Sequence, residues 1–174
     1  MNLSDISEIS GWKNGIAVNN SGTVNFGGTV KLEDKLVGTG EYTNSGTLTV
    51  ENIDNLAMTG TSGFKNSGIL NLGNSSTEAT LGVDITGVGT TNINGDITNG
   101  RIIENKVVIA TGNKLTNTGI ISGTVENAGT FSTGVNGVTG GVKNTGSLKM
   151  IGENVDLHQR NGNGMVGIPV FVLS

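Results

Sequence analysis

A nine-residue pattern recurs along this 174-residue chain and limits its fold more than any other feature: apolar, any, Asn, small, Gly, any, apolar, any, apolar. Residues 18–26, 42–50 and 64–72 carry it, with Asn20 and Gly22, Asn44 and Gly46, and Asn66 and Gly68 at the centre. Later copies begin at Leu115, Val125 and Val142 and bring Asn117 and Gly119, Asn127 and Gly129, and Asn144 and Gly146. A shortened copy around Asn99 and Gly100 lies between the two groups. The first three asparagines stand 24 and 22 residues apart, and the later spacings run from about 10 to 18.

Within each copy the apolar residues alternate, as in Leu48-Thr49-Val50, which is the period of a short strand with one buried face. The Asn-small-Gly centre supplies a residue tolerant of left-handed backbone and then one without a Cβ, so the chain can turn a corner there. One such coil cannot bury its apolar face alone. Coils stacked about 4.8 Å apart share a continuous core and parallel ladders. Intervals of 22 to 24 residues accommodate three short strands per coil. The sequence therefore predicts an all-β chain folded as a parallel β-solenoid of about seven or eight coils. A sandwich or barrel of hairpins is the rival, and Asn99-Gly100 and Asn136-Gly137 would suit its turns. The dominant turn is instead the one at repeat spacing.

Composition supports a packed core over a disordered linker. Thirty glycines and many Asn, Thr and Ser residues would suit a linker, but 44 Val, Ile and Leu residues are spread evenly along the chain. Ten basic against fourteen acidic residues give a formal charge of -4, with no basic stripe to neutralise phosphates, so no nucleic-acid partner is expected. No stretch approaches the roughly 20 apolar residues of a membrane-spanning helix. The absence of Cys excludes disulfide staples and thiolate metal sites.

The Asn-Ser-Gly and Asn-Thr-Gly centres followed by alternating apolar residues resemble the passenger regions of bacterial autotransporter adhesins, and the filamentous haemagglutinins exported by two-partner secretion. The resemblance covers about residues 16–150. It implies a right-handed parallel β-helix, secreted or displayed at the cell surface and serving in attachment. The opening residues lack the basic and apolar regions of a signal peptide. Nor does a series of alternating segments of about ten residues announce a membrane barrel. The resemblance therefore implies a segment of a larger exported protein.

Both ends depart from the repeat. In residues 1–15, Leu3, Ile6 and Ile9 are spaced for one face of a short helix, with Asp5 and Glu8 at capping spacing. This stretch is read as a cap or the cut edge of the solenoid, leaving residues 16–150 as the repeat region. Residues 151–174 comprise a polar loop with the only His, His158, and an apolar run over 165–173 containing Pro169. That run is expected to seal the final rung, with edge-to-edge self-association as the consequence of an open end.

Catalytic chemistry finds little purchase. Glycoside hydrolysis wants two carboxylates facing one cleft, and here the six Asp and eight Glu residues are scattered. Asp96 near Arg101 is the sole suggestive neighbour, and its plain reading is a solvated charge at a strand end. His158, with Glu153 and Asp156 nearby, reads as a loop histidine. No catalytic residue, cofactor or metal site is expected. Tyr42, Phe64, Phe26 and Phe131 fill apolar slots of the repeat and read as core; Trp12 stands outside it.

The expectation is a rigid, surface-displayed scaffold and adhesin for a protein or glycan receptor, with the irregular stretches 74–80 and 154–164 as its first candidate loops. A polysaccharide lyase or hydrolase is the alternative. An ice-binding solenoid is the weakest reading, because residues following the motif glycines (Thr23, Thr47, Ile69, Ile120, Thr130, Ser147) do not form an unbroken Thr column.

Overall fold

The alternating four-residue runs become strands that bury every second side chain. Thr47–Val50 buries Leu48 and Val50, and Thr23–Phe26 buries Val24 and Phe26. The computed structural model describes residues 2–3, 8–9, 16–59, 63–134 and 137–151, the side chains of residues 16 and 17 excepted. Every strand pairing among them is parallel, as a solenoid requires and a hairpin fold forbids. The chain is a parallel β-solenoid of about seven turns.

Each full turn crosses three faces. The first face opens with Ile16–Asn20 beside Lys35–Gly38. It resumes as the ladder Glu78–Leu81, Asp96–Asn99, Lys114–Asn117, Thr130–Gly134 and Ser147–Ile151. Between the two ladders lies a 3-10 turn, Ile53–Asn55, followed by Leu56 bridged in parallel to Leu36. The second face stacks Thr23–Phe26, Glu41–Asn44, Phe64–Asn66, Ile85–Thr86, Ile102–Ile103 and Ile120–Ile121. The third runs from Glu8–Ile9 through Thr29–Leu32, Thr47–Val50, Ile69–Leu72, Thr90–Ile93, Lys106–Ile109 and Val125–Asn127 to Val142–Asn144.

The core is a set of columns running along the axis. Tyr42, Phe64, Ile85, Ile103 and Ile121 succeed one another on the second face, and all are fully buried. Leu48, Leu70, Thr91, Val107 and Val125 do the same on the third. The rings of Phe26 and Phe64 stack with centroids 6.3 Å apart and an interplanar angle of 27°. The four aromatics assigned to apolar slots, Phe26, Tyr42, Phe64 and Phe131, are all inside; Trp12 lies outside the described residues.

Register corrects the coil length. Asn20 stands beside Gly38, and Asn44 beside Phe26, so the 24-residue interval between the two asparagines spans more than one coil. Thr29 pairs with Thr47, a step of eighteen residues (47 minus 29). The interval of 22 from Asn44 to Asn66 is a true rung, lengthened by the insertion that holds the 3-10 turn. Coil length varies because the insertion around the 3-10 turn interrupts the first-face ladder while the second and third ladders run on past it.

Two further expectations change. Glu8–Ile9 is a strand paired with Lys31 and Leu32, and Asn2 bridges to Asn25, so these residues extend the ladders instead of forming a helix. Ile9 is buried there, which satisfies the same apolar residue by a different route. The stretch 74–80 is loop only as far as Thr77, because Glu78–Leu81 is a strand. The stretches 152–174 and 4–7, with the apolar run and His158, lie outside the described residues.

Candidate functional site

Each motif asparagine is the last residue of its strand, so none serves as a left-handed corner residue. The side chain turns inward at the corner and bonds to backbone that the turn leaves unpaired. The motif serves three different corners. Asn20, Asn99 and Asn117 close the first face, Asn44 and Asn66 the second, and Asn127 and Asn144 the third. All are buried except Asn144, which is half-buried.

At the second corner, Asn44 Nδ2 donates to Asn66 Oδ1 at 2.8 Å and to the Ile69 carbonyl at 2.9 Å, while Asn44 Oδ1 accepts from the Gly46 N–H. At the first, Asn20 Oδ1 accepts from the Gly22 N–H at 2.8 Å, and Asn99 Nδ2 donates to Asn117 Oδ1 at 2.8 Å. Asn117 then reaches Thr133 Oγ1 and the Gly137 carbonyl. At the third, Asn127 donates to Asn144 Oδ1 and its Oδ1 accepts from the Gly129 N–H. Asn144 Nδ2 closes on the Gly146 carbonyl at 2.9 Å. Asn105, which carries no full copy of the motif, joins the second-corner row through Asn66. Its burial was not legible from the repeat.

The glycines are required by closeness. A Cβ on Gly68 would lie 2.1 Å from the Gly46 carbonyl oxygen, and those on Gly46, Gly119, Gly129 and Gly146 meet similar backbone. Gly22 meets nothing nearer than 3.8 Å. The motif asparagines tie neighbouring rungs, and the motif glycines other than Gly22 let those rungs close on one another.

Several charged side chains on the surface form ion pairs between neighbouring strands or corners. Arg101 Nε meets Asp84 Oδ1 at 3.3 Å, whereas Asp96 meets Lys114 Nζ at 3.4 Å, so Asp96 and Arg101 take different partners. Lys106 Nζ lies 2.8 Å from Glu126 Oε2, and this hydrogen bond holds the carboxyl below its usual range. Lys31 binds Glu33 at 2.7 Å, which raises the ammonium above its ordinary value. Among the described residues no group of three His, Cys, Asp or Glu side chains converges on one point. A shallow groove of about 400 Å³ opens at the third corner between Val108, Ala110, Thr111, Ala128 and Lys143. The one Tyr is sealed inside, its hydroxyl donating to the Val37 carbonyl at 2.8 Å, and burial pushes it up to about 12.

Comparison with known proteins returns no matching family model, no matching curated protein and no matching solved structure. Function must be argued from this chain's own surface. No helix among the described residues is long and apolar enough to cross a membrane.

The outward rows follow the true register. Thr23 lies on the second face, Thr47 and Ile69 on the third, Ile120 on the second, and Thr130 and Ser147 on the first. The interrupted column expected from the motif alignment thus mixes three faces. The first face instead aligns Thr80, Thr98, Thr116 and Ser132 on four successive strands.

Proposed function

We propose that the chain is a rigid, non-catalytic scaffold segment of a larger exported bacterial protein, displayed at the cell surface as an adhesin. The observation that carries this reading is the division within each coil. Inward positions and corner amides are committed to holding rungs, while outward rows change chemistry from rung to rung. A rigid parallel stack supports such rows at fixed spacing, which suits recognition of an extended receptor. The paired outward carboxylates meet cations on the open surface: Asp84 meets Arg101, Asp96 meets Lys114, Glu126 meets Lys106, and Glu33 and Glu51 share Lys31. Glycosidic hydrolysis instead needs two carboxyl groups across one cleft, one with a raised pKa. The test is retention of the purified chain on a glycan and host-cell array, with a reducing-end assay on the same polysaccharides. Retention without release of reducing ends is expected. Release of new reducing ends, or no retention on any surface, overturns the reading.

A further inference from the structure

The core columns are open at one end of the solenoid. On the last described rung the inward positions are Val142 on the third face and Leu148 and Met150 on the first. Val142 is 38 % exposed, whereas its partner Val125 one rung earlier is fully buried. Leu148 and Met150 are half-buried, beside the buried Phe131 and Thr133. No described strand pairs with Val142–Asn144 or Ser147–Ile151 on the far side. At the opposite end Leu3 and Ile9 are buried, so that end offers no apolar complement for head-to-tail stacking of two copies.

This end also has a hydrogen-bonding sense. Inward residues donate their N–H to the following rung, Val107 to the Thr124 carbonyl, Ile121 to that of Gly137 and Val125 to that of Gly141. The corner amides point the same way: Asn44 Nδ2 donates to Asn66 Oδ1, and Asn127 Nδ2 to Asn144 Oδ1 and the Ser147 carbonyl. By the same geometry the N–H groups of Val142, Leu148 and Met150 face beyond the last rung. Among the described residues Asn144 donates only to the Gly146 carbonyl of its own corner. Apolar columns and backbone donors aligned on one edge accept a further parallel strand.

Residues 152–174 lie outside the described residues, and their sequence carries the spacing this edge requires. The last described step is seventeen residues on all three faces (138 minus 121, 142 minus 125, 147 minus 130). The same step from Val138, Val142 and Asn144 reaches Val155, Gln159 and Asn161. We propose that the open last rung is the docking surface for residues 155–168 of this same chain, which add to it as one more parallel rung and shield its edge from other chains. Asn161 supplies the side-chain carbonyl toward which the Asn144 amide points. Gln159 continues a column that already admits a buried polar residue, Thr91. One extra residue at the corner 161–164 sets Val166 over Leu148 and Ile168 over Met150, a step of eighteen like that from Ile97 to Leu115.

Amide hydrogen exchange read residue by residue in the full chain tests this, beside the variants V166D/I168D and M165D. Aspartate at 166 and 168 puts charge at inward positions of the added rung, whereas position 165 faces outward. In the native chain and M165D the Val142, Leu148 and Met150 amides are expected to exchange roughly tenfold or more slowly than in an unstructured chain. V166D/I168D should lose that slowing, with the Val125 amide protected in all three proteins as the sign of an intact body. Unslowed exchange at the three amides in the native chain overturns the docking, and equal loss in M165D overturns the register. Slowing that V166D/I168D retains also overturns it. Where that slowing grows with protein concentration, the end belongs to a second copy of the chain.

Discussion

Asn66 donates through Nδ2 to Oδ1 of Asn105 at 2.7 Å, although the two are two rungs apart. The rung between them places Gly87 at that corner, and the Asn105 amide fills the space, donating to the Gly87 carbonyl at 2.8 Å. Thr91, facing inward among leucines and valines, donates its hydroxyl to the same Asn105 oxygen at 2.9 Å. One side chain thus ties three successive rungs.

Replacing Asn105 with Ala removes the partner of Asn66, Thr91 and the Gly87 carbonyl together. Each group left buried and unpaired costs about 1 to 3 kcal/mol, so the loss should exceed that of Asn44→Ala, itself about 1 to 3 kcal/mol. Leu48→Ala, a cavity in the same core, sets the scale at roughly 2 to 5 kcal/mol. Urea denaturation of the three variants checks the order. An Asn105→Ala midpoint equal to the native one would show that the row contributes nothing.

The motif glycines divide by their surroundings. Gly68→Ala forces a Cβ to within 2.1 Å of backbone oxygen and should cost at least about 1 to 3 kcal/mol through displaced rungs. Gly22→Ala, at the same place in its own copy, meets only the Asn20 side chain at 3.8 Å, an ordinary contact, and should change stability little. Thermal melting of both variants distinguishes them, and equal effects would mean that the glycines serve the turn itself.

Tyr42 predicts a pH dependence. Its folded value is pushed up to about 12 from 10.0, so the folded state holds the proton more tightly than the unfolded one. The stability this contributes is complete below pH 10 and is lost as pH rises through about 12. Tyr42→Phe removes that component. Melting temperature against pH from 9 to 12 should fall more steeply for the native chain than for the variant. Because the chain has one Tyr, phenolate absorbance reads the ionisation directly.

Much of the fold was legible because its signals are local. The alternation in Leu48-Thr49-Val50 fixes which side chains face inward, and the Asn-small-Gly centre fixes where corners fall. The register was not legible, because three corners of one coil pose the same physical problem and accept the same solution. Asn20 and Asn44 look equivalent in sequence since both must cap a strand end, yet they close different faces. The Glu8–Ile9 strand was misread because spacing by three also fits a short segment whose apolar residue joins a ladder. The hydroxyl row on the first face was hidden for the same reason as the register: Thr98 lies beside Thr116 only once coils of eighteen residues are laid on one another.

Cysteine cross-linking tests this register most directly, in a chain that has no Cys of its own. Thr29 and Thr47 are neighbours across the third face, with strands about 4.8 Å apart. Thr23 and Thr47, equivalent by motif, lie on different faces. The double variant T29C/T47C should form an intramolecular link with a short thiol cross-linker, detected by intact mass, and T23C/T47C should not. A link in T23C/T47C with none in T29C/T47C would contradict the three-corner solenoid and restore one corner per motif.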